Sequence, residues 1–342
     1  MSLRTKNIIY TLVLLSAMFM VWKYREGKQE TLVAFEGRTM GTTYHIQYFD
    51  KQGRNLKPQV DSLLIVFNQS LSTYIPDAEI SQFNLSASFQ FQLPYFYPVI
   101  ASSKEIFEIT DGYFDPTVMP LVNAWGFGPA KPSPPNAKQV DSLMSFVGFD
   151  KIFFNQDSVW KTDKRVQLDF SAIAKGYGAD IVADYIQSKG IENLFVEIGG
   201  EVVAKGKNLA RNRVWEIGIL DPDSEPIHQR YKLFVSLDNK AIATSGNYYN
   251  YREVDGVKYS HTINPLTGYP VQHAILSASV FADDCMTADA LATAFMAMGH
   301  EKAKEILHEN KQWDAILIYS SPEGDLVVYA TEGIRAFTSI SE

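Results

Sequence analysis

Residues 283–299 read DDCMTADALATAFMAMG, and between Asp284 and Gly299 the only charged residue is Asp289. Asp283 or Asp284 is placed to cap a helix here, and Gly299 to stop it. On that helix Thr293, four residues on, shares a face with Asp289. A carboxylate buried among alanines and methionines must be paired or bind a cation. Carboxylate plus hydroxyl is a hard-oxygen pair suited to Mg²⁺, with phosphate oxygens and water completing the shell. The same acid also suits the first helical turn, where it would only favour the helix dipole. The stretch alone does not choose between the two.

The second chemical stretch is VQLDFSAIAKGYGAD at 166–180. A strand ending at Asp169 and Phe170 leads through small residues into a helix with Lys175 in its first turn. A lysine there opposes the macrodipole unless an anion joins it, and a helix N-terminus with a lysine makes a phosphate site. Asp169 could accept hydrogen bonds from a base or sugar, and the small Ser171 and Ala172 let a backbone carbonyl approach an ion. The plainer alternative is an ordinary turn with a solvated lysine. Gly199-Gly200, in VEIGGEVVAKG at 196–206, signals a hairpin, a bulge or close approach to a ligand. His261 precedes two turn signals, Asn264-Pro265 and Thr267-Gly268, and a lone histidine there decides little. GxSxG, HExxH, P-loop and GxGxxG signatures are absent.

Positioning these residues takes many short elements. Two strands joined through Gly41 are expected over 31–50, and helices over 59–71, 97–110 and 137–146. A rigid PAKPSPP connection covers 129–135. Strands follow at 151–155, 158–162 and 165–170, then a helix over 173–189. Further strands are expected at 193–206, 214–220, 232–244, 276–282, 315–320 and 325–330, with helices over 286–298 and 301–310. Many strands neighbour each other through short turns, which favours an α+β fold with mainly antiparallel sheets flanked by helices. No composition break divides residues 31–342, so one domain is expected.

The 342 residues are 46% hydrophobic, enough for a core without staples. The single cysteine, Cys285, excludes an internal disulfide, argues against a thiolate zinc site and reads as structural. A net charge of −8 without basic runs argues against nucleic acid but leaves room for an anionic ligand held by local cations and a metal. At the N-terminus Arg4 and Lys6 precede an apolar run from Ile8 to Trp22, and Lys23, Arg25 and Lys28 follow. This is the layout of an export signal. The run is short for a full span of about 20 residues, yet no small-x-small cleavage site follows it. Residues 1–28 therefore read as a signal anchor rather than a cleaved signal peptide, with residues 29–342 outside the cytoplasm.

An ordered series of motifs, MGTTY at 40–44, LSTYIPDAEISQFN at 71–84, DGYFDPTVMPLVNAWGFGP at 111–129, LDFSAIAKGYGAD at 168–180, VEIGGEVVAKG at 196–206, TSGNY at 244–248, HTINPLTGYPV at 261–271 and TADALATAFMAMG at 287–299, resembles the ApbE-type FAD:protein FMN transferases. The resemblance spans about 33–335. It implies an ApbE-like (T-fold-related) single domain that uses Mg²⁺ to move FMN from FAD onto a serine or threonine of an exported partner, releasing AMP. It further implies that Asp289, Thr293 and the Ala172 carbonyl bind the metal and that Asp169 and Lys175 hold the FAD. Met40, Tyr74, Ala124, Trp125 and Gly126 would line the flavin site, Thr262 and Ile263 would approach the cofactor, and His261 would accept the incoming hydroxyl's proton. Phe170 departs from the leucine common in this motif, a mild change. Expected acceptors are redox-pump subunits or similar electron carriers, met on the periplasmic side of the inner membrane. FAD hydrolysis to FMN and AMP, or FAD binding by a membrane-tethered module without turnover, are the competing readings.

Overall fold

The computed structural model describes residues 2–26, 30–128, 134–222, 224, 230–247, 251–254, 257–260, 262–272, 274–335 and 338–340. Its frame is an eight-stranded sheet built from β1 (Thr31–Thr39), β2 (Thr42–Asp50), β3 (Asn193–Ile198), β4 (Glu201–Lys205), β5 (Ala241–Gly246), β6 (Ile275–Ala282), β7 (Asp314–Ser320) and β8 (Leu326–Ala330). The strands lie side by side in chain order, and every neighbouring pair is antiparallel. The sheet is thus a meander in which four of the seven connections, β2–β3, β4–β5, β5–β6 and β6–β7, are expanded to carry everything else.

Two tight turns set one end of this sheet. Met40 and Gly41 both have positive φ, 48° and 74°, and join β1 to β2 with Thr39 opposite Thr42. Two such residues in a two-residue loop match the right-handed twist of the flanking strands. Gly199 and Gly200, with φ of 62° and 105°, do the same between β3 and β4, with Ile198 opposite Glu201. The Gly199 amide bonds to the Thr43 carbonyl, so the two turns lie together, and the far end of β5 reaches the same edge.

The central strands are buried on both faces, as their near-continuous apolar runs require. Tyr44, Ile46, Val196, Val203, Ala241 and Ala243 belong to the core under the helices. The alternate residues Val202, Ile242, Phe281, Ile316 and Ile318 belong to a second core on the opposite face. That core is closed by a four-stranded sheet containing Arg213–Leu220 and Tyr231–Leu237, inserted between β4 and β5 and completed by Thr338–Ile340. The helical layer comes mostly from the long connection between β2 and β3, including the helices Lys57–Leu71, Phe96–Ile109 and Ala174–Gln187. The connection between β6 and β7 adds Cys285–Met298 and His300–Glu309.

Two expected strands are different: the run at 232–244 breaks around Asn239 (φ 54°) into Tyr231–Leu237 of the four-stranded sheet and β5 of the main sheet. Residues 165–170 form no ladder, only an isolated parallel bridge between Gln167 and Val118. The alternation is real, since Val166, Leu168 and Phe170 are all buried. The hydrogen bonds come from elsewhere: the Asn84 amide donates to the Leu168 carbonyl and its oxygen accepts from the Leu168 N–H, while the Asp169 N–H bonds to Pro116. A side chain mimics a strand partner here, which period-two patterning does not reveal. The short helices Glu79–Leu85 and Met119–Trp125 and the hairpin Tyr251–Val254 with Val257–Ser260 add to the expected elements.

Ahead of the sheet stands a helix, Leu3–Glu26. Its Leu3–Val21 stretch is long and apolar enough to cross a membrane, and none of it is buried against the rest of the chain.

Candidate active site

The site begins with a close contact between two helices. Ala174–Gln187 packs on Cys285–Met298 where Gly176 meets the Cys285 carbonyl: a Cβ on Gly176 would lie 2.1 Å from that oxygen and 2.8 Å from the Asp289 Cβ. The missing side chain lets the Gly176 N–H donate to Asp289 Oδ2 at 3.0 Å. Asp180, one turn along the same helix, accepts from the amides of Cys285 and Met286, both at 2.8 Å. Asp284 caps its own helix by accepting from Thr287, while Asp283 pairs with Lys240. Asp289 is therefore the fifth residue of its helix, past the first turn, and 2% exposed. The first-turn alternative for this acid does not hold.

Lys175 occupies the first turn of its helix, as expected, but it is not solvated by water alone. Its Nζ donates to Glu201 Oε1 at 2.6 Å and lies 3.7 Å from Asp289 Oδ1. Burial alone would depress the ammonium; Asp289 and Glu201 outweigh it and hold Lys175 above its ordinary value. Burial pushes the Glu201 carboxyl up to about 7, against the pull of Lys175 and with a further push from Asp289. Gly199 leaves room for this arrangement, since a Cβ there would come 2.7 Å from Thr42 and 3.4 Å from the lysine stem.

These groups stand in a cleft of about 710 Å³ at the end of the sheet marked by the glycine turn. Asp169, Ala172, Lys175, Asp289 and Thr293 line it together, joined by Gly126, Thr262 and Ile263 from other loops. Burial raises the Asp169 carboxyl above its ordinary value, opposed by the Ser171 N–H that it accepts at 2.9 Å. The Thr293 hydroxyl is 3.2 Å from that of Ser245 on β5. Thr262 and Ile263 are pinned by a bond from the Val271 N–H to Thr262 and a bridge between Ile263 and Pro270. Gly126 takes the left-handed conformation (φ 82°) that ends the Met119–Trp125 helix.

Four further expected residues stand apart from the cleft walls. Met40 sits in the β1–β2 turn with its Cε against Gly178, and Tyr74 is an exposed loop residue. Ala124 is half-buried, and Trp125 is buried with its Nε1 donating to the Gly268 carbonyl at 2.9 Å. His261 lies outside the described residues.

Two acidic residues of the cleft were not singled out from the sequence. Glu201 is 3% exposed and opens the strand EVVAK, where it precedes the apolar run Val202–Ala204. An acid beside a buried apolar run is a weaker form of the signal that marks Asp289, because Lys205 closes the same strand. Asp115 accepts from both the N–H and the hydroxyl of Thr117, and burial pushes it up to about 6.

Among the described residues no cluster of three or more His, Cys, Asp or Glu side chains is placed to hold a metal. Asp289, Thr293 and Ala172 all line the cleft, and carboxylate, hydroxyl and carbonyl oxygens are the donor types that suit Mg²⁺ with phosphate and water rather than zinc.

Residues 40–317 match the ApbE family. The chain belongs to that family. It is 38% identical to the FAD:protein FMN transferase of Vibrio cholerae over 90% of this chain and 93% of the relative. It is 34% identical to the FAD:protein FMN transferase of Haemophilus influenzae over 92% and 93%. Among solved structures, the flavin transferase ApbE from Vibrio cholerae aligns with a TM-score of 0.81 at 36% identity, covering 90% of this chain and 99% of the other. The Pseudomonas stutzeri flavinyl transferase ApbE aligns with a TM-score of 0.77 at 32% identity, covering 89% and 96%. These ApbE neighbours share the α+β, mainly antiparallel architecture expected from the pattern of elements.

Proposed function

We propose that this chain is an FAD:protein FMN transferase, moving FMN from FAD to a serine or threonine of an exported protein. The observation that carries the proposal is the convergence of Asp289 and Glu201 on Lys175 in a cleft of about 710 Å³, in a chain whose relatives bear that name. The acceptor hydroxyl oxygen attacks the phosphorus of the FMN half. The bond from that phosphorus to the bridging oxygen breaks, and AMP leaves with that oxygen. His261 takes the hydroxyl proton. The enzyme needs no nucleophile of its own, in keeping with the absence of nucleophile motifs.

Lys175, held protonated by its two carboxylates, gives the cleft a fixed cation for the pyrophosphate. Asp169 orients the FAD, and Thr262 and Ile263 present their pinned backbone to it. The flavin is assigned to the side of Gly126, with Met40, Tyr74, Ala124 and Trp125 shaping the approach. Asp289, the Thr293 hydroxyl and the Ala172 carbonyl would hold Mg²⁺, which when bound supplies a template and Lewis acid for the pyrophosphate. Positioning and charge neutralisation of this kind carry most of phosphoryl transfer. Residues 1–28 anchor the domain of residues 29–342 to the inner membrane and leave it on the periplasmic side, where its acceptor is an exported electron carrier.

The test supplies the full chain with FAD, Mg²⁺ and an exported acceptor protein. Transfer yields an acid-stable adduct of FMN mass on Ser or Thr together with AMP. AMP release that does not depend on the acceptor would assign hydrolysis instead. FAD binding without AMP would assign a module without turnover.

A further inference from the structure

Lys175 has two carboxylates to choose from, and the geometry shows its choice. The contact with Glu201, at 2.6 Å, is a full charge-assisted hydrogen bond, while that with Asp289, at 3.7 Å, is beyond hydrogen-bond reach. Asp289 Oδ2 is occupied by the Gly176 N–H, so Oδ1 is the oxygen facing the lysine without a close bond to it. Among the described residues the other Glu201 oxygen, Oε2, is buried and has no hydrogen-bond partner. A buried polar atom left unpaired is costly and rare, so its presence in a cleft calls for a function. Glu201 contributes no assigned metal or FAD contact in the proposed function, yet it sits 3% exposed ahead of the apolar run Val202–Ala204 and fixes the lysine.

We infer that Glu201 is a positioning residue that holds the Lys175 ammonium away from Asp289 and so keeps the Asp289 carboxylate open to a divalent cation. A partly buried ammonium beside two carboxylates pairs with whichever one remains. Without the Glu201 charge, Lys175 closes the gap to Asp289 Oδ1 and competes there with a metal ion. With Glu201 in place, the same lysine stays in the cleft as a cation for the substrate without occupying the metal's oxygen. The inference rests on the assignment of Asp289 as a metal ligand.

The experiment measures Mn²⁺ binding to the full chain in detergent, without FAD, by counting free Mn²⁺ in its electron paramagnetic resonance spectrum. Glu201→Gln is expected to weaken Mn²⁺ about tenfold or more. Lys175→Met is then expected to strengthen Mn²⁺ about tenfold more in the Glu201→Gln background than in the wild type, the non-additivity that marks residues acting through one another. Equal effects of Lys175→Met in both backgrounds would mean simple charge removal and overturn the inference, as would unchanged Mn²⁺ binding in Glu201→Gln. Should Glu201→Gln fail to fold, Glu201→Asp keeps the charge but draws it back from the lysine; weakened Mn²⁺ supports the inference, and wild-type affinity overturns it. Asp289→Asn separates the two readings. Loss of Mn²⁺ there, with Glu201→Gln unaffected, sinks the role of Glu201 alone, whereas a wild type that binds no Mn²⁺ sinks the metal assignment and this inference together.

Discussion

The Gly176 amide donates to the Asp289 carboxylate at 3.0 Å across the contact of two helices that are 113 residues apart at this bond. The bond ties the proposed metal ligand to the residue next to Lys175, so the acid and the base of the cleft are placed by one helix packing rather than by two flexible side chains. Asp180 makes the same junction a second time, accepting from the first amides of the Cys285–Met298 helix. A site built on a doubly fastened helix pair is rigid before any substrate arrives.

Gly176→Ala tests that fastening. The new Cβ would meet the Cys285 carbonyl at 2.1 Å, and both partners are backbone or Cβ atoms that cannot swing away. The helices must separate, at a cost of about 2–3 kcal/mol in urea unfolding. Transfer is expected to fall further than stability alone explains, because Asp289 moves with its helix. Wild-type stability in this variant would show that the two helices are loosely packed.

Asp289→Ala removes the carboxylate and leaves the Gly176 amide without its acceptor. Initial rates of FMN transfer at saturating Mg²⁺ are expected to drop about 10²–10³-fold, the scale of losing one electrostatic contact to a transition state. The folded state loses only about 1–3 kcal/mol, so circular dichroism stays native at 25 °C. An unchanged transfer rate would remove Asp289 from the metal site.

Asp289 and Lys175 are legible in the sequence because each breaks a local rule: an acid in an apolar helix, a cation at the wrong end of a dipole. Their meeting is not legible, since it depends on Gly176, whose role comes from what it touches rather than from its neighbours in sequence. Glu201 is a weaker case, since Lys205 shares its short strand, and the preceding Gly199-Gly200 pair accounts for the turn and draws attention from it. The meander order of the sheet was likewise hidden, because four of its seven connections, those from β2 through β3 and from β4 through β7, are far longer than a hairpin's, and only tertiary pairing reunites β2 with β3. Residues 165–170 show the converse, a strand-like alternation whose hydrogen-bond partner is the side chain of Asn84.

Trp125 ties the Met119–Trp125 helix to the turn that follows Ile263, through its Nε1 bond to the Gly268 carbonyl and its ring contact with Tyr269 at 5.8 Å. Trp125→Phe keeps the apolar bulk and deletes the donor. We expect a loss of about 1–2 kcal/mol. The KM for FAD should rise while kcat stays within about twofold, because an interaction shared by ground and transition states is lost. A large fall in kcat with constant KM would place Trp125 in the chemistry instead.

Asp50 offers a pH test away from the cleft. Its carboxylate receives the Arg54 side chain at 2.8 Å from both Nε and Nη2, and the backbone N–H of Arg54 as well. The Arg54 side-chain bonds hold it down at about 2, below the ordinary 3.8, despite burial that pushes the other way. Because the folded value is depressed, the stabilisation is fully present above the unfolded value near 4 and is lost as pH falls through about 2. A shift of this size is worth about 2 kcal/mol. Asp50→Asn should therefore lower the unfolding free energy by about that amount at pH 7, and the gap to wild type should narrow steadily between about pH 4 and pH 2. A gap that stays constant across that window would mean that the arginine stabilises position 50 by packing, not by charge.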